Sequence, residues 1–256
     1  MHEHTSKRFD LDLENLRTRV LQMGGLVEQQ VKKAMEGLYA GDMALLESVI
    51  RDDQRVDQLE MELDEACNKI IAMRQPTAVD LRMVVTVLKS IADLERIGDK
   101  ARKIARLGTL LYEHHASSAP DVELRHIAEL TLKMLRSALD AFARLDVNAA
   151  SEVLRLDDTV NTEYHAVVRQ LITYMMEDPR TISRSLDIMG MAKAIERVGD
   201  HAKNIAEYVI YMVQGKDVRH VSIEDRERQV QGLAALASPR TSAATGPDVD
   251  KSTPNT

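Results

Sequence analysis

Two pairs of carboxylates stand four residues apart on helix-like stretches of the chain, Glu95 with Asp99 and Glu196 with Asp200. At that spacing both side chains leave the same helix face. Upstream of each lies a second such pair, Asp53 with Asp57 and Asp157 with Asn161. Carboxylates gathered on one patch repel one another unless positive charge sits among them. Arginine and lysine can supply it, and so can a hard cation, for which carboxylates are natural ligands. The candidate metal ligands are therefore Asp53, Asp57, Glu95, Asp99, Asp157, Asn161, Glu196 and Asp200. Oxygen-rich ligation suits Mg, Mn, Ca or Fe, and His201 keeps Zn open.

The two sets differ downstream. After Asp200 come His201, Asn204 and Glu207, all possible ligands, where the first set has Lys100, Lys103 and Arg106. The first set thus carries a basic rim, suited to neutralising its acids, weakening metal binding or attracting an anion. Lys103 stands four residues after Asp99 and Lys203 three after Asp200, each placed for a weak ion pair on its own helix. Glu196, Asp200 and Glu207 fall off the apolar seam of their segment, so the acids are expected to face solvent. Gly98 and Gly199 precede Asp99 and Asp200, and each costs about 1 kcal/mol inside a helix relative to alanine. They fit either close approach by a partner helix or bound cluster, or tight packing within a bundle.

Other chemistry is sparse. Glu123 and His126 have the Glu-x-x-His spacing of di-metal bundles, but such sites need two of these motifs and two more glutamates. His2, His4, His114 and His115 fit surface positions, and Cys67 lies beside an apolar seam. There is no Ser-His-Asp order, no phosphate-binding loop and no GxGxxG.

The elements that must position the acids are helical. From Asp187 to Val213, Ile188, Met191, Ile195, Val198, Ala202, Ile205, Val209 and Met212 recur at alternating steps of three and four, a heptad seam. Val56, Leu59, Leu63, Ala66, Ile70 and Met73 do the same. LERIGDKARKIAR (94–106) and IERVGDHAKNIAE (195–207) match at 7 of 13 positions, and Asp42, Val49, Arg51, Asp53 and Val56 recur as Asp146, Val153, Arg155, Asp157 and Val160. The chain is two copies of a three-helix unit, with helices expected near 8–40, 43–73 and 78–113, then 121–144, 147–176 and 181–214. Asp42 and Asp146 are placed to cap helices. In a hairpin turning near Pro76, residues equidistant from the turn lie level, which pairs Asp57 with Glu95 and Asp53 with Asp99. A turn near Pro179 pairs Asn161 with Glu196 and Asp157 with Asp200. The expected fold is all-α: tandem three-helix bundles over 1–116 and 117–220 forming an elongated six-helix protein, with a largely disordered tail over 221–256.

Composition narrows the functions further. The 256 residues are 44% hydrophobic and 29% charged with a net charge of −7. Aromatics are only 3%, with no tryptophan, which argues against a β-sandwich and against base-stacking platforms for nucleic acid. A single cysteine excludes a disulfide scaffold. The start, MHEHTSKRFD, has no apolar signal region, and no apolar run approaches the ~18 residues of a membrane span. A cytoplasmic protein is expected.

Three segments then carry a resemblance: FDLDLENLRTRVLQMGGLVEQQV near the start, MRQPTAVDLRMVVTVLKSIADLERIGDKA across the first hairpin, and ERVGDHAKNIAEYVIYMVQGKDVRHV at the close. Together they resemble the PhoU family, accessory regulators of bacterial phosphate transport. The resemblance implies two three-helix bundles whose acidic E/D-xxx-D motifs can hold metal ions, here at Asp53–Asp57, Glu95–Asp99 and Glu196–Asp200, with Asp157–Asn161 as a departure. The metals so implied are divalent or iron ions (Mg, Mn, Fe or Zn). It also implies a regulatory, non-catalytic role. The expected partners are the phosphate transporter ATPase PstB, the sensor histidine kinase PhoR and a second copy of the chain, with no nucleic acid and no membrane contact except through partners. In that role such a protein negatively regulates phosphate uptake and the phosphate-starvation response. A carboxylate-ligated di-metal enzyme and a metal-free docking scaffold are the alternatives.

Overall fold

The computed structural model describes residues 7–114 and 122–215. Six long helices account for nearly all of them: α1 (Lys7–Ala40), α2 (Met43–Arg74), α3 (Ala78–His114), α4 (Arg125–Arg144), α5 (Val147–Glu177) and α6 (Ile182–Gln214). A single 3-10 turn, Pro179–Thr181, leads into α6. No strand is present among the described residues. The all-α expectation and five of the six helix starts agree with the structure to within a residue. α4 begins at Arg125 rather than near 121. The expected disordered tail, with His2, His4 and His115, lies outside the described residues.

Local chemistry sets the helix ends. Asp42 precedes α2 in an extended conformation, and its carboxylate accepts from the Leu45 N–H. Asp146 does the same for α5, accepting from both Asn148 and Ala149. Each satisfies amides that a helix start leaves without partners. Just before these caps the chain must turn left-handed. Gly41 does so at φ 66°, and its counterpart Leu145 at φ 56°. Gln75 closes α2 in the same region, and Pro76 after it disfavours further helix.

Within the first repeat α1, α2 and α3 pack on one another, and α4, α5 and α6 do so in the second. The repeats meet mainly along α3 and α6, with α1 against α4 beside them. The α3–α6 pairing is antiparallel: Gly190 lies against Leu107, Asp93 reaches His201 and Asn204, and Gly215 at the end of α6 lies against Arg82 near the start of α3. α1 and α4 are also antiparallel, tied by Arg136 to Glu28 at 2.5 Å and by the Arg125 guanidinium over the Tyr39 ring. One continuous apolar core, from Phe9 through Met212, runs through both repeats. The helical repeats are thus one packed body rather than two independent domains.

Candidate functional site

Each hairpin brings its acids together at the level expected from the turn. In the first, Arg102 on α3 reaches across to α2: its guanidinium pairs with Asp53 at 2.5 Å and also with Asp99. In the second, the equivalent Lys203 on α6 pairs with Asp157 on α5 at 2.6 Å. Asp53 and Asp157 are buried, at 1% and 3% exposure, and so is Glu196 at 7%. The solvent-facing stripe expected therefore does not include Asp53, Asp157 or Glu196. These three fall off the heptad seam yet lie covered in the crease where the two hairpin helices converge, while Asp57, Glu95, Asp99 and Asp200 stay half-buried.

The first hairpin is rich in acid. Glu60, one helical turn beyond Asp57, joins Asp53, Asp57, Glu95 and Asp99. Burial, then the charges of Asp99, Glu60, Asp57 and Asp53, push the Glu95 carboxyl above its ordinary range. Burial and the neighbouring Asp57 and Asp64 do the same to Glu60, against the pull of Arg96. Burial also raises Asp53, with Arg102 opposing it. Among the described residues no hydrogen bond or ion pair is made by Asp57, Glu60 or Glu95. Behind Asp53, Gln30 from α1 is buried at 2% exposure with neither amide atom hydrogen-bonded.

The second hairpin supplies its own counter-charges. Lys193 pairs with Glu196 at 2.6 Å and stands over the ring of Tyr164, the residue equivalent to Glu60. Arg197 pairs with Asp200 at 3.0 Å, and Asn161 donates its amide to Asp157. Asp200 is still pushed upward, by burial and then by Glu196.

Several expectations change at this point. His201 and Asn204 are not ligands of the second acidic set; both turn to the buried Asp93 on α3, at 2.7 and 3.1 Å. Lys203 pairs with Asp157 on the facing helix rather than with Asp200 on its own, and Arg102, not Lys103, pairs with Asp99. Glu123 and His126 are exposed, and Glu123 accepts from the Arg125 N–H at the start of α4. Cys67 is buried in the core, which pushes its thiol up to about 12. Motif spacing alone does not single out Arg102, Lys193 or Asp93. The repeat alignment holds the signal for Arg102, since Lys203 occupies the same place, but Asp93 has only Ala194 as its counterpart.

The two glycines pack within their own bundles and not against a partner helix. A Cβ at Gly98 would lie 3.2 Å from Asp53 Oδ1 and 3.3 Å from Gln30 Oε1 and Val56. At Gly199 the nearest atoms, of Val160, Met134 and Thr131, lie at 3.5, 3.6 and 3.8 Å, ordinary van der Waals contact. Gly199→Ala is therefore expected to stabilise the fold by up to about 1 kcal/mol, by helix propensity. Gly98→Ala gains nothing and loses stability, because it presses on a buried carboxylate. Urea unfolding of the two variants checks this, and equal gains at both positions would contradict it.

A divalent ion suits the donor type of the first set, whose side-chain donors are all oxygens. Gln30 adds an orphaned buried amide behind Asp53. As the side chains stand, no three His, Cys, Asp or Glu residues among those described are disposed to hold a metal ion. No described helix is long and apolar enough to cross a membrane.

Comparison with known proteins places these features in a family. A family model described as "PhoU domain" matches residues 20–108 and 124–209, one segment in each repeat. A phosphate-specific transport system accessory protein PhoU homolog from Pseudomonas putida is 47% identical over 231 residues, 90% of each chain. The phosphate-specific transport system accessory protein PhoU of Escherichia coli is 45% identical over 233 residues, covering 91% of this chain and 96% of that one. The crystal structure of PhoU from Pseudomonas aeruginosa superposes with a TM-score of 0.78 at 48% identity, covering 81% of this chain and all of that one. That of the phosphate transport system regulatory protein PhoU from Streptococcus pneumoniae does so at 0.76 and 28% identity, covering 82% and 99%.

Proposed function

This chain belongs to the PhoU family, and we propose on that premise that it is a regulatory accessory protein of phosphate transport. In this reading it is an adaptor between the phosphate ABC transporter, through the ATPase PstB, and the sensor histidine kinase PhoR. It acts as a homodimer, restrains uptake and the starvation response when phosphate is plentiful, and has no catalytic role of its own. The names of its relatives support the transport context. The observation that carries the rest is the first hairpin, where five carboxylates gather and the guanidinium of Arg102 pairs with two of them, Asp53 and Asp99, while the charges of Arg96 and Arg106 act from nearby.

Asp57, Glu60 and Glu95 are the residues that would hold a hard divalent cation such as Mg or Mn, beside Asp53 and Asp99. A cation held there would add positive charge among these carboxylates, beside that of Arg102. The chain's own part is to fix two helices at one level, keep Asp53 and Gln30 from water, and hold Arg102 between Asp53 and Asp99. A second reading, a metal-free docking face, is favoured by the lack of three ligands already converged among the described residues.

The paired substitution Asp57→Asn with Glu95→Gln is expected to leave the fold intact and to relieve phosphate repression in cells. Normal repression, with the variant present at the parent level, would sink the signalling role of this hairpin. Binding of the parent protein to the transporter ATPase and the kinase, measured with and without chelator, separates the readings. Loss on chelation supports the cation, and unchanged binding supports the docking face.

A further inference from the structure

The crease of the second hairpin runs on past its acids towards the tip, and there it turns apolar. The Lys193 ammonium stands over the Tyr164 ring, which fixes the level at which α5 and α6 face each other. One to three turns nearer the tip, the same two faces carry Val168, Ile172 and Met176 on α5 and Met189, Leu186 and Ile182 on α6. Val168 and Met189 are half-buried; the other four are exposed, Leu186 to 54% and Met176 to 80%. The first hairpin does not repeat this. Its α3 bank offers Leu81, Val85 and Leu88, but its α2 bank has Asp64, Asn68 and Ala72, and Asn68 donates to Asp64 at 3.0 Å. Beside the second strip α3 adds Leu107, which lies against Gly190, and the exposed Leu110 one turn on. A Cβ at Gly190 would meet only Leu107 among the described residues, so the strip is open there. The equivalent place on α3 holds Lys89, which stands 5.5 Å from the rings of both Tyr208 and Tyr211.

We infer, resting on the adaptor reading above for the existence of a protein partner, that this strip docks a single amphipathic helix of that partner, with carboxylates at the helix end nearest the crease. From Val168 to Met176 the strip runs about two turns, ~12 Å, and it is one helix wide. A groove of that form takes the apolar face of one helix. α4 packs on the same two helices in this way, as a single helix laid against both. A second copy of the chain asks for more, since a stable interface takes roughly 20–30 residues a side. The strip supplies six, with Leu107 and Leu110 beside them. Charge sets the polarity. The end nearest the crease is basic. Arg169 on α5 and Lys103 and Arg106 on α3 make no ion pair among the described residues, although the charge of Arg106 also reaches Asp53. Lys193 and Arg197 are engaged there by Glu196 and Asp200. Acids lie towards the tip: Glu113, Glu177 and Asp178, the last held by Arg180, with Asp187 half-buried beside Leu186. A helix along the strip therefore meets positive charge at one end and negative at the other. An anionic bilayer does not match this layout, because a flat surface covering the strip also presses on the tip acids.

The test uses the full chain and designed helical peptides of about four turns. Each has leucine along one face and either glutamate or lysine grouped at one end, and binding is read by fluorescence anisotropy at low salt. The glutamate peptide is expected to bind about tenfold or more tightly than the lysine peptide. Ile172→Asn with Met176→Ala places on α5 the residues that α2 carries at the same positions. Both side chains are exposed, so the unfolding midpoint is expected to stay at the parent value while the glutamate peptide loses about tenfold or more in affinity. Lys103→Glu with Arg169→Glu is expected to invert the preference between the peptides. Binding of neither peptide, equal binding of both, or parent-like binding by the Ile172→Asn, Met176→Ala variant overturns the docking site. So does a parent that sediments as a dimer beside a variant that sediments as a monomer, which gives the strip to a second copy. Binding to vesicles of anionic phospholipid that the variant loses overturns it in favour of a membrane. The same variant is then tested against the transporter ATPase and the kinase. Weakened binding to either supports the strip as the docking site, and unchanged binding to both overturns it while leaving the adaptor reading standing. A parent that binds neither protein defeats the adaptor reading, and the strip then stands or falls by the peptides.

Discussion

Replacing Arg102 with methionine is expected to lower folding stability by about 3 kcal/mol, the cost of leaving a buried charge without its partner. The hydrocarbon stem is kept, so packing changes little. The guanidinium is lost, and Asp53, with a side-chain exposure of 2%, faces Asp99 with nothing between them. The pH dependence can be worked out from direction alone. Burial already holds the Asp53 carboxyl above its ordinary value, and Arg102 is the main opposing influence. In the variant the carboxyl rises further. A carboxyl whose folded value exceeds its unfolded one takes up its proton first in the folded state. Its penalty is therefore present at neutral pH and fades as pH falls through the raised value. The variant should regain part of its loss on mild acidification, from pH 7 towards the ordinary carboxylate range. Asp53→Asn in the same background should restore most of it at neutral pH. Urea unfolding between pH 7 and 5 reads both effects. A loss under about 1 kcal/mol, the worth of an exposed pair, would show that solvent screens this contact.

A loss of similar size, about 3 kcal/mol, is expected for Asp93→Ala, which strips the shared acceptor from two partly covered donors. Asp93 lies at the seam of the two repeats with a side-chain exposure of 3%, and His201 at 12%. A carboxylate can only accept, so Nδ1 of His201 carries the proton towards it while Asn204 donates its amide. The contact crosses from α3 to α6, so its loss weakens the joint between repeats more than either bundle. A double-mutant cycle of Asp93→Ala with His201→Ala isolates the pair, with an expected coupling of about 1–3 kcal/mol. Additive effects within ~0.4 kcal/mol would mean that the two side chains do not depend on each other. Hydrogen exchange should show the loss first at amides of α3 and α6 near this contact.

Much of this architecture is legible in the sequence because it rests on local rules and on repetition. The heptad seam from Ile188 to Met212, the caps at Asp42 and Asp146, and the turns at Pro76 and Pro179 each depend on a few neighbouring residues. Duplication then shows which polar residues are placed deliberately, and hairpin geometry sets Asp53 level with Asp99. What stays hidden is where long basic side chains go. Lys103 and Arg102 are equally close to Asp99 along the helix, yet only Arg102 lies on the side facing α2 and Asp53. Burial of the acids is hidden for the same reason. A residue such as Glu196 is off the seam of its own helix, and only the arrival of α5 beside it excludes water. Asp93 is invisible because its partners lie in the other copy and its own counterpart is alanine.

The antiparallel pairing of α3 with α6 has a consequence for descent. Equivalent helices crossing head to tail, with α1 and α4 doing the same beside them, are what a two-fold axis generates between identical subunits. A single ancestral repeat pairing with itself would bury the same seam. In such a dimer any residue introduced on one side appears on the other as well. An aspartate at position 93 would meet the other copy's position 100, the counterpart of His201, and would do so twice over. Covalent linkage removes that restriction. Once the two halves share a chain, the seam can hold an acid on one side and its donors on the other. One hairpin can keep its carboxylates while its sister acquires lysines. Tandem duplication here is what permits asymmetry, and an ancestor-like single repeat would have to treat both of its sites alike.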